Sequence, residues 1–319
     1  MTAKFTLEAG LRGKSHYLYE LECVRGLAIL LVFLFHAYGA TGYPETNNPG
    51  IVRSYLIGGN TGVTLFFVLS GFLLSLPWLK RLRDPSAPVP SVRNYYLARF
   101  LRIVPLYYAA ILWAVIDTGA WSAGLRAVAF IPIGFDMFPY SVVWWTLATE
   151  VQFYLLLPLL FWLPTLGQAG KAVLSVLCLV WLCAYIWIFV FEGMGPLSSK
   201  YWVTKALYAR LPAFLVGILS AWLYLGFAPK LTQCSRSLAL RFAGTLLVIA
   251  ALMGLGLLLQ RVAVMGDRQA EVQWHIHHFW EALVWALLVL HYCLCSLWAR
   301  RSWLTAQWQF WVNCRIPFT

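Results

Sequence analysis

Long apolar runs, separated by shorter polar segments, set the pattern of this chain from about residue 20 onward. Eight of them are close to the 20 or so residues that a helix needs to cross a lipid bilayer. They cover residues 22–42, 56–79, 100–118, 144–164, 172–191, 206–227, 240–260 and 278–298. The pattern predicts an all-α, polytopic bundle of transmembrane helices in a single domain over residues 1–319.

A ninth apolar stretch, residues 121–140, does not fit this pattern because Pro132, Gly134 and Pro139 interrupt it. Three interpretations are open for it. It forms a re-entrant piece, a short extra span, or an outer loop that lies on the bilayer.

Composition supports a membrane protein. The chain is 61% hydrophobic and only 11% charged, whereas soluble domains carry about a quarter charged residues. The net charge of +12 would suggest nucleic acid in a soluble protein, but here the cations mark loops that set membrane orientation. Sixteen Lys and Arg residues fall on the side of the N-terminus and six on the other. This asymmetry predicts a cytoplasmic N-terminus and no nucleic-acid partner.

No metal site is predicted. The seven cysteines lie mostly in apolar runs and lack the spacing of zinc ligands. Residues 274–278 read Trp-His-Ile-His-His, and we interpret them as a cluster at the membrane interface.

Ionisable residues inside apolar spans are costly and often functional. Arg25 and His36 lie eleven residues apart in the first run, which places them on one helix face, about 16 Å apart along the axis. Alternatively, Arg25 reaches the interface and His36 bonds to a neighbouring helix.

A second group follows helical spacing in the fourth run. Thr146, Glu150 and Tyr154 are four residues apart and therefore share a face. A buried carboxylate needs a partner. Glu150 is either a functional group or half of a structural ion pair, with Arg25 or Arg210 as partner.

Arg99 and Arg102 begin the third run, three residues apart. They either anchor the helix on the cytoplasmic side or grip a phosphate, which guanidinium groups do well. In the second run, Gly62 and Gly71 allow close backbone approach, and Ser70 between them is a candidate to line a site.

Five short motifs stand in order along the chain. They are Leu21–Ala28 with His36, Gly62–Phe72, Arg99–Tyr108, Trp145–Tyr154 and Arg210–Gly217. Together they resemble the signatures of the membrane acyltransferases called acyltransferase-3. That family has about ten spans, so the resemblance and the eight runs together imply eight to ten spans here.

The sequence departs from the family in two places. Thr146 stands where the family usually has Ser, and it keeps the hydroxyl. The chain ends at Thr319, about where the last helix of the family begins, so we expect a shortened member that lacks this final helix.

The resemblance implies transfer of an acyl group, commonly acetyl, from acyl-CoA to a hydroxyl, commonly on a carbohydrate or a lipid-linked sugar. It implies an integral protein of the bacterial inner membrane, surrounded by lipid, with acyl-CoA as donor substrate and no bound cofactor. His36 would be the general base, and Glu150 would orient it or stabilise its protonated form.

The other candidate residues would bind substrate. Arg99 and Arg102 would hold the phosphates of the donor, and Arg25 would hold a phosphate or neutralise the oxyanion. Ser70, Thr146 and Tyr154 would line the site.

Two other functions remain open. Intramembrane His, Glu and Arg are also typical of proton-coupled transporters, and a chain without its last helix would suit an inactive family member. A transporter would move its substrate without cleaving a thioester, whereas the enzyme would release thiol when acceptor is present.

Overall fold

The computed structural model describes residues 19–41, 50–191, 201–234, 238–264 and 278–293, and these residues form helices and turns without strands. This confirms the predicted all-α class. Short 3-10 turns and one π turn join some of the helices. The α-helices are α1 Tyr19–Ala40, α2 Ile51–Ile57, α3 Thr61–Arg83, α4 Val92–Thr118, α5 Trp121–Val128, α6 Trp144–Trp162, α7 Gly167–Ile186, α8 Tyr201–Thr204, α9 Leu207–Cys234, α10 Leu238–Ala263 and α11 His278–Cys293.

Six helical segments among the described residues are long and apolar enough to cross a membrane. They are Leu21–Ala40, Thr61–Arg83, Val92–Thr118, Tyr140–Phe189, Leu207–Phe227 and Arg241–Ala263. The fourth contains both α6 and α7, joined by a 3-10 turn at Leu163–Leu166. Helix α11 is apolar but shorter. The chain is therefore an integral membrane protein.

The interrupted stretch at residues 121–140 contains no separate span. Helix α5 has only eight residues, a rise of about 12 Å, and two 3-10 turns follow it. An ion pair between Arg126 and Asp136, at 2.7 Å, closes this segment on itself. The hydroxyl of Tyr108 donates to the Val128 carbonyl at 3.0 Å and ties the end of α5 to α4. Of the three interpretations, the extra span is wrong.

Helix α3 occupies the centre of the bundle. Most of its residues are buried, and its closest neighbour is α9. The two backbones meet where both helices carry glycine. A Cβ at Gly71 would overlap the Phe214 carbonyl, and one at Gly217 would overlap the Val68 carbonyl. The predicted close approach at Gly71 is confirmed.

Stacked aromatic rings lie beside this contact. The ring of Phe214 stacks on Phe67 at 4.6 Å and on Phe153 at 4.1 Å between centroids. Phe67 also meets Trp145 edge-on at 6.2 Å. We call these four residues the aromatic layer. Its rings come from α3, α6 and α9, and their burial and stacking hold these three helices together.

Helix α1 packs on α3 through a single stripe. Leu21, Val24 and Ala28 are its buried residues, at the spacing of one helix face. Gly62 of α3 lies against the Ala28 carbonyl, which confirms the close approach predicted there. The rest of α1 is exposed or only half-buried.

Candidate active site

Glu150 lies at the centre of a buried polar cluster between α3 and α6. Its side chain is nearly inaccessible, with the residue only 4% exposed. The Ser70 hydroxyl donates to its Oε1 at 3.2 Å, and the Tyr154 hydroxyl donates to the same oxygen. Tyr154 reaches Glu150 because residues four apart are neighbours on a helix. The structure therefore brings Ser70, Glu150 and Tyr154 together.

Two arginines of α4 complete this cluster. Arg99 and Arg102 both interact electrostatically with Glu150. The guanidinium carbon of Arg99 lies 5.6 Å from the centre of the Tyr154 ring and 6.0 Å from that of Tyr95. The Nε of Arg99 is buried and has no hydrogen-bond partner among the described residues. Arg102 is exposed, so the cationic side of the cluster faces outward.

This arrangement combines a buried acceptor of hydrogen bonds with cationic donors. The carboxylate can hold the hydroxyls of Ser70 and Tyr154 in fixed positions, because charge-assisted hydrogen bonds are the strong ones. The guanidinium groups match the geometry of phosphate oxygens. Within the described residues, no group of three His, Cys, Asp or Glu side chains is placed to hold a metal ion.

Arg25 and Thr146 lie apart from this cluster. Arg25 donates to Glu22, three residues earlier in α1, at 2.7 Å. The Thr146 hydroxyl donates to the Val143 carbonyl at 2.8 Å, although Thr146 precedes Glu150 by one helical turn. Their roles in binding substrate stay predictions.

His36 is also distant from Glu150. It is exposed among the described residues, with the ring of Phe35 as its aromatic neighbour at 5.0 Å. Helix α1 runs antiparallel to α3, and Gly59 and Gly62 meet α1 near Leu31. With a rise of 1.5 Å per residue, this register places His36 about 20 Å from the level of Ser70 along the helix axes. The two proposed catalytic groups make no contact in the structure, and the role of His36 stays a prediction.

A second buried carboxylate was not among the predicted site residues. Glu281 of α11 is 1% exposed, and the Thr64 hydroxyl of α3 donates to it at 3.0 Å. One turn away, the indole of Trp285 donates to the Thr61 hydroxyl at 2.9 Å. The signal was present, since Glu281 stands early in an apolar run. The sequence analysis interprets residues 274–278 as an interfacial cluster, but His278 is buried. Residues 274–277 lie outside the described residues.

Cations and aromatic rings extend this second cluster. The Lys205 Nζ and the Arg210 guanidinium lie 5.2 and 5.5 Å from the centre of the Trp145 ring. Tyr185 interacts electrostatically with Arg210, and its ring lies 6.5 Å from that of His278. The arginines that interact electrostatically with Glu150 are Arg99 and Arg102 of α4.

Comparison with known proteins places the chain in one family. A family model described as an acyltransferase domain, acyltransferase-3, matches residues 18–313. A Staphylococcus aureus (strain COL) protein with the name "Putative O-acetyltransferase SACOL0978" is 24% identical over 68% of this chain and 36% of its own length. The peptidoglycan O-acetyltransferase OatA of Listeria monocytogenes is 23% identical over 73% of this chain and 38% of its own length.

A third relative comes from Komagataeibacter xylinus and has the name "Putative membrane-bound transacylase BcsY". It is 30% identical over 53% of this chain and 44% of its own length. The chain thus spans less than half the length of these relatives. No solved structure matches it. Because the family model covers nearly the whole chain, the chain belongs to the acyltransferase-3 family of membrane acyltransferases.

Proposed function

We propose that this protein transfers an acyl group, most simply acetyl, from acyl-CoA to a hydroxyl of a carbohydrate. The observation that carries the proposal is the cluster around Glu150 in a chain of the acyltransferase-3 family. There a buried carboxylate holds the hydroxyls of Ser70 and Tyr154 and lies beside two arginines. Buried ionisable groups inside membrane helices mark functional sites by default.

Arg99 and Arg102 are proposed to bind the phosphates of the donor. Arg102 is exposed and Arg99 has a buried Nε without a partner among the described residues, so an incoming anion would find free donors there. Glu150 is proposed as the carboxylate that positions the groups at this end of the site. It keeps the guanidinium groups and the two hydroxyls oriented. Arg25 is proposed to meet a second phosphate of the donor, because it lies about 16 Å from His36 along α1.

His36 is proposed as the general base of the transfer step. It takes the proton of the acceptor hydroxyl as the oxygen bonds to the thioester carbonyl carbon. The carbon–sulfur bond then breaks, and the leaving thiolate takes up that proton, so that free CoA thiol is released. Because the structure separates His36 from Glu150, we assign them separate roles. The pantetheine arm of CoA is long and narrow, which suits a donor with its phosphates at one level of the bundle and its thioester at another.

The acceptor is proposed to be a polysaccharide or a lipid-linked sugar. This follows from the relatives, since OatA of Listeria monocytogenes is named for O-acetylation of peptidoglycan. Thr146 is proposed to contribute its hydroxyl to the same substrate site. Membrane lipid surrounds the protein, and no bound cofactor is needed for this chemistry.

We further propose a bundle of eight to ten spans with a cytoplasmic N-terminus in a bacterial inner membrane. The excess of Lys and Arg on the side of the N-terminus supports this orientation. The donor site fits it, because Arg99 and Arg102 stand in the early turns of α4, on the side of the N-terminus. The single domain over residues 1–319 stays a prediction, and residues 294–319 lie outside the described residues.

The test is release of free thiol by the protein in nanodiscs, supplied with acetyl-CoA and a panel of soluble oligosaccharides. We expect wild type to release thiol when an oligosaccharide is present, and the His36→Ala variant to lose this release. Asp117→Asn is the matched control, because Asp117 is exposed and accepts a hydrogen bond from the Tyr140 hydroxyl, away from the Glu150 cluster. Transport of a substrate without thioester cleavage would instead support a proton-coupled transporter, and silence of the wild type would contradict the enzymatic proposal.

A further inference from the structure

The polar cluster around Glu281 is unused by the mechanism above, although it is buried as deeply as the Glu150 cluster. Its carboxylate accepts from Thr64 at 3.0 Å, and Trp285 donates to Thr61 at 2.9 Å. Two helices thus contribute polar groups on both sides, α3 with two hydroxyls and α11 with a carboxylate and an indole. His278 lies one turn before Glu281 and is also buried.

Helices α7 and α9 bring further polar groups to this region. Arg210 of α9 is 1% exposed and interacts electrostatically with Tyr185 of α7. The Tyr185 ring in turn lies 6.5 Å from the His278 ring. A carboxylate, a guanidinium, an imidazole, a phenol and two hydroxyls therefore form a continuous polar region inside a bundle of apolar helices.

Such a region is expensive to keep. Taking a carboxylate and a guanidinium out of water carries a large desolvation cost, and apolar side chains of similar volume often replace buried charge without loss of stability. Charged residues within membrane helices usually line a substrate pathway or a water-filled cavity. The chemistry of this cluster suits a ligand with many hydroxyls, because carboxylate accepts from hydroxyls while guanidinium and imidazole donate to them.

The position of the cluster separates it from the donor site. Thr64 and Ser70 are six residues apart on α3, which corresponds to about 9 Å along the helix. Phe67 lies between them and belongs to the aromatic layer with Trp145, Phe153 and Phe214. The two buried carboxylates therefore lie at two levels of the bundle, with aromatic rings between these levels. The Glu281 level is also the one nearer to His36, by the register of α1 on α3.

We propose that the cluster of Glu281, Thr64, His278, Tyr185 and Arg210 binds the carbohydrate acceptor and that Glu281 holds its hydroxyl groups. This inference rests on the proposed function, and it assigns the two substrates to two different polar clusters. The donor occupies the arginine side at Glu150, and the acceptor occupies the Glu281 side beyond the aromatic layer. Glu281 is a binding and positioning residue in this account, and the proton is taken by His36.

Binding and turnover are both needed to test it. Saturation-transfer NMR would measure binding of chito-, cello- and malto-oligosaccharides to the protein in nanodiscs, without acetyl-CoA. Initial rates of thiol release would then give KM separately for acetyl-CoA and for the oligosaccharide that binds. The variant is Glu281→Gln, and Asp117→Asn is the matched exposed control.

We expect Glu281→Gln to weaken oligosaccharide binding and to raise the KM for it by about tenfold or more, as loss of a charged hydrogen-bond partner does. The KM for acetyl-CoA should stay within about twofold, because the donor contacts lie elsewhere. A structural role alone would lower thermal stability and would move both KM values or neither.

Two outcomes overturn the inference. One is a wild type that binds none of the oligosaccharides, and the other is an unchanged oligosaccharide affinity in Glu281→Gln. Binding that depends on Glu281 in a protein that transfers no acetyl would contradict the proposed function and leave the acceptor site standing.

Thr64 supplies a second pair of variants if Glu281→Gln does not fold. Thr64→Val removes the hydroxyl that orients Glu281, whereas Thr64→Ser retains it. We expect Thr64→Val to weaken oligosaccharide binding and Thr64→Ser to restore it. Equal binding by the two variants would count against the acceptor site.

Discussion

The two buried carboxylates of this bundle share a helix but differ in their surroundings. Glu150 and Glu281 each accept from a hydroxyl of α3, Ser70 in one case and Thr64 in the other. Glu150 lies beside two arginines of α4, one of them exposed. Glu281 lies beside aromatic and imidazole groups with a fully buried arginine nearby.

This difference indicates which kind of ligand each site can bind. An exposed guanidinium next to a buried carboxylate suits a ligand with an anionic group that enters from the surface. A cluster of donors and acceptors whose arginine is buried suits a neutral ligand with many hydroxyls. Four predictions test or sharpen this contrast.

The largest effect is expected for Glu150→Gln. The amide cannot carry the charge that balances Arg99 and Arg102, and its hydrogen bonds to Ser70 and Tyr154 weaken. We expect acyl transfer, measured as thiol released per minute with acceptor present, to fall by about 100-fold or more, because a small displacement of the bound donor can cost that much. Asp117→Asn should retain the wild-type rate. If the rate of acyl transfer fell less in Glu150→Gln than in Glu281→Gln, the roles assigned to the two carboxylates would be reversed.

Smaller effects are expected for the arginines, and they should appear in donor affinity. Arg99→Ala and Arg102→Ala each remove a phosphate donor, and the KM for acetyl-CoA should rise by about tenfold in each. The KM for the acceptor should not change. Arg93→Ala is the matched control, because Arg93 is exposed on α4, six residues before Arg99 and nine before Arg102. An equal rise of the KM for acetyl-CoA in Arg93→Ala would show that the effect comes from general surface charge.

At the contact between α3 and α9, a substitution is expected to lower the stability of the protein and not to act on the transfer step itself. In Gly71→Ala the new methyl group meets the Phe214 carbonyl, and the helices must separate at a cost of about 1–3 kcal/mol. Thermal unfolding in detergent should show a lower Tm. Gly254→Ala is the control, since a Cβ there meets no atom within 4 Å. A Tm unchanged from wild type in Gly71→Ala would contradict the central position of α3.

The smallest effect concerns Asp136, a carboxylate outside the spans. Burial alone would raise the pKa of Asp136, but hydrogen bonds from Arg126 and from the Gly134 amide outweigh it and lower this pKa below 3.8. The stabilisation is therefore present above pH 3.8 and is lost as pH falls through the lower folded value.

We expect Asp136→Asn to cost less than about 1 kcal/mol at neutral pH, because the ion pair is partly exposed. Unfolding curves between pH 6 and pH 3 should converge for wild type and variant at the acid end. A difference in stability between wild type and Asp136→Asn that widens toward low pH would refute this account of Asp136.

Residue spacing predicted which side chains of one helix lie together, but not that the arginines of α4 would be the cationic neighbours of Glu150. The spacing of four joined Glu150 to Tyr154, and the spacing of three brought Arg99 and Arg102 to one carboxylate. Both follow from the geometry of one helix, which is fixed by the residue spacing. Thr146 shows the limit of this reasoning, because its hydroxyl donates to the carbonyl of Val143, just before its own helix, and not to Glu150.

Contacts between distant helices were less accessible to sequence analysis. The shared face of Arg25 and His36 follows from periodicity, but the register of α1 on α3 depends on where Gly59 and Gly62 admit the α1 backbone. That register separates His36 from Glu150. Likewise Thr64 and Glu281 are 217 residues apart, and no local spacing relates them.

The most direct test of acyl transfer that depends on the Glu150 cluster is the ester product itself. Isotope-labelled acetyl-CoA would be supplied to wild type and Glu150→Gln in nanodiscs with oligosaccharide acceptor, and the oligosaccharide would be examined by mass spectrometry. We predict labelled acetyl ester on the oligosaccharide with wild type and its near absence with Glu150→Gln. Equal labelling by both proteins would contradict the account, as would an unlabelled oligosaccharide with wild type.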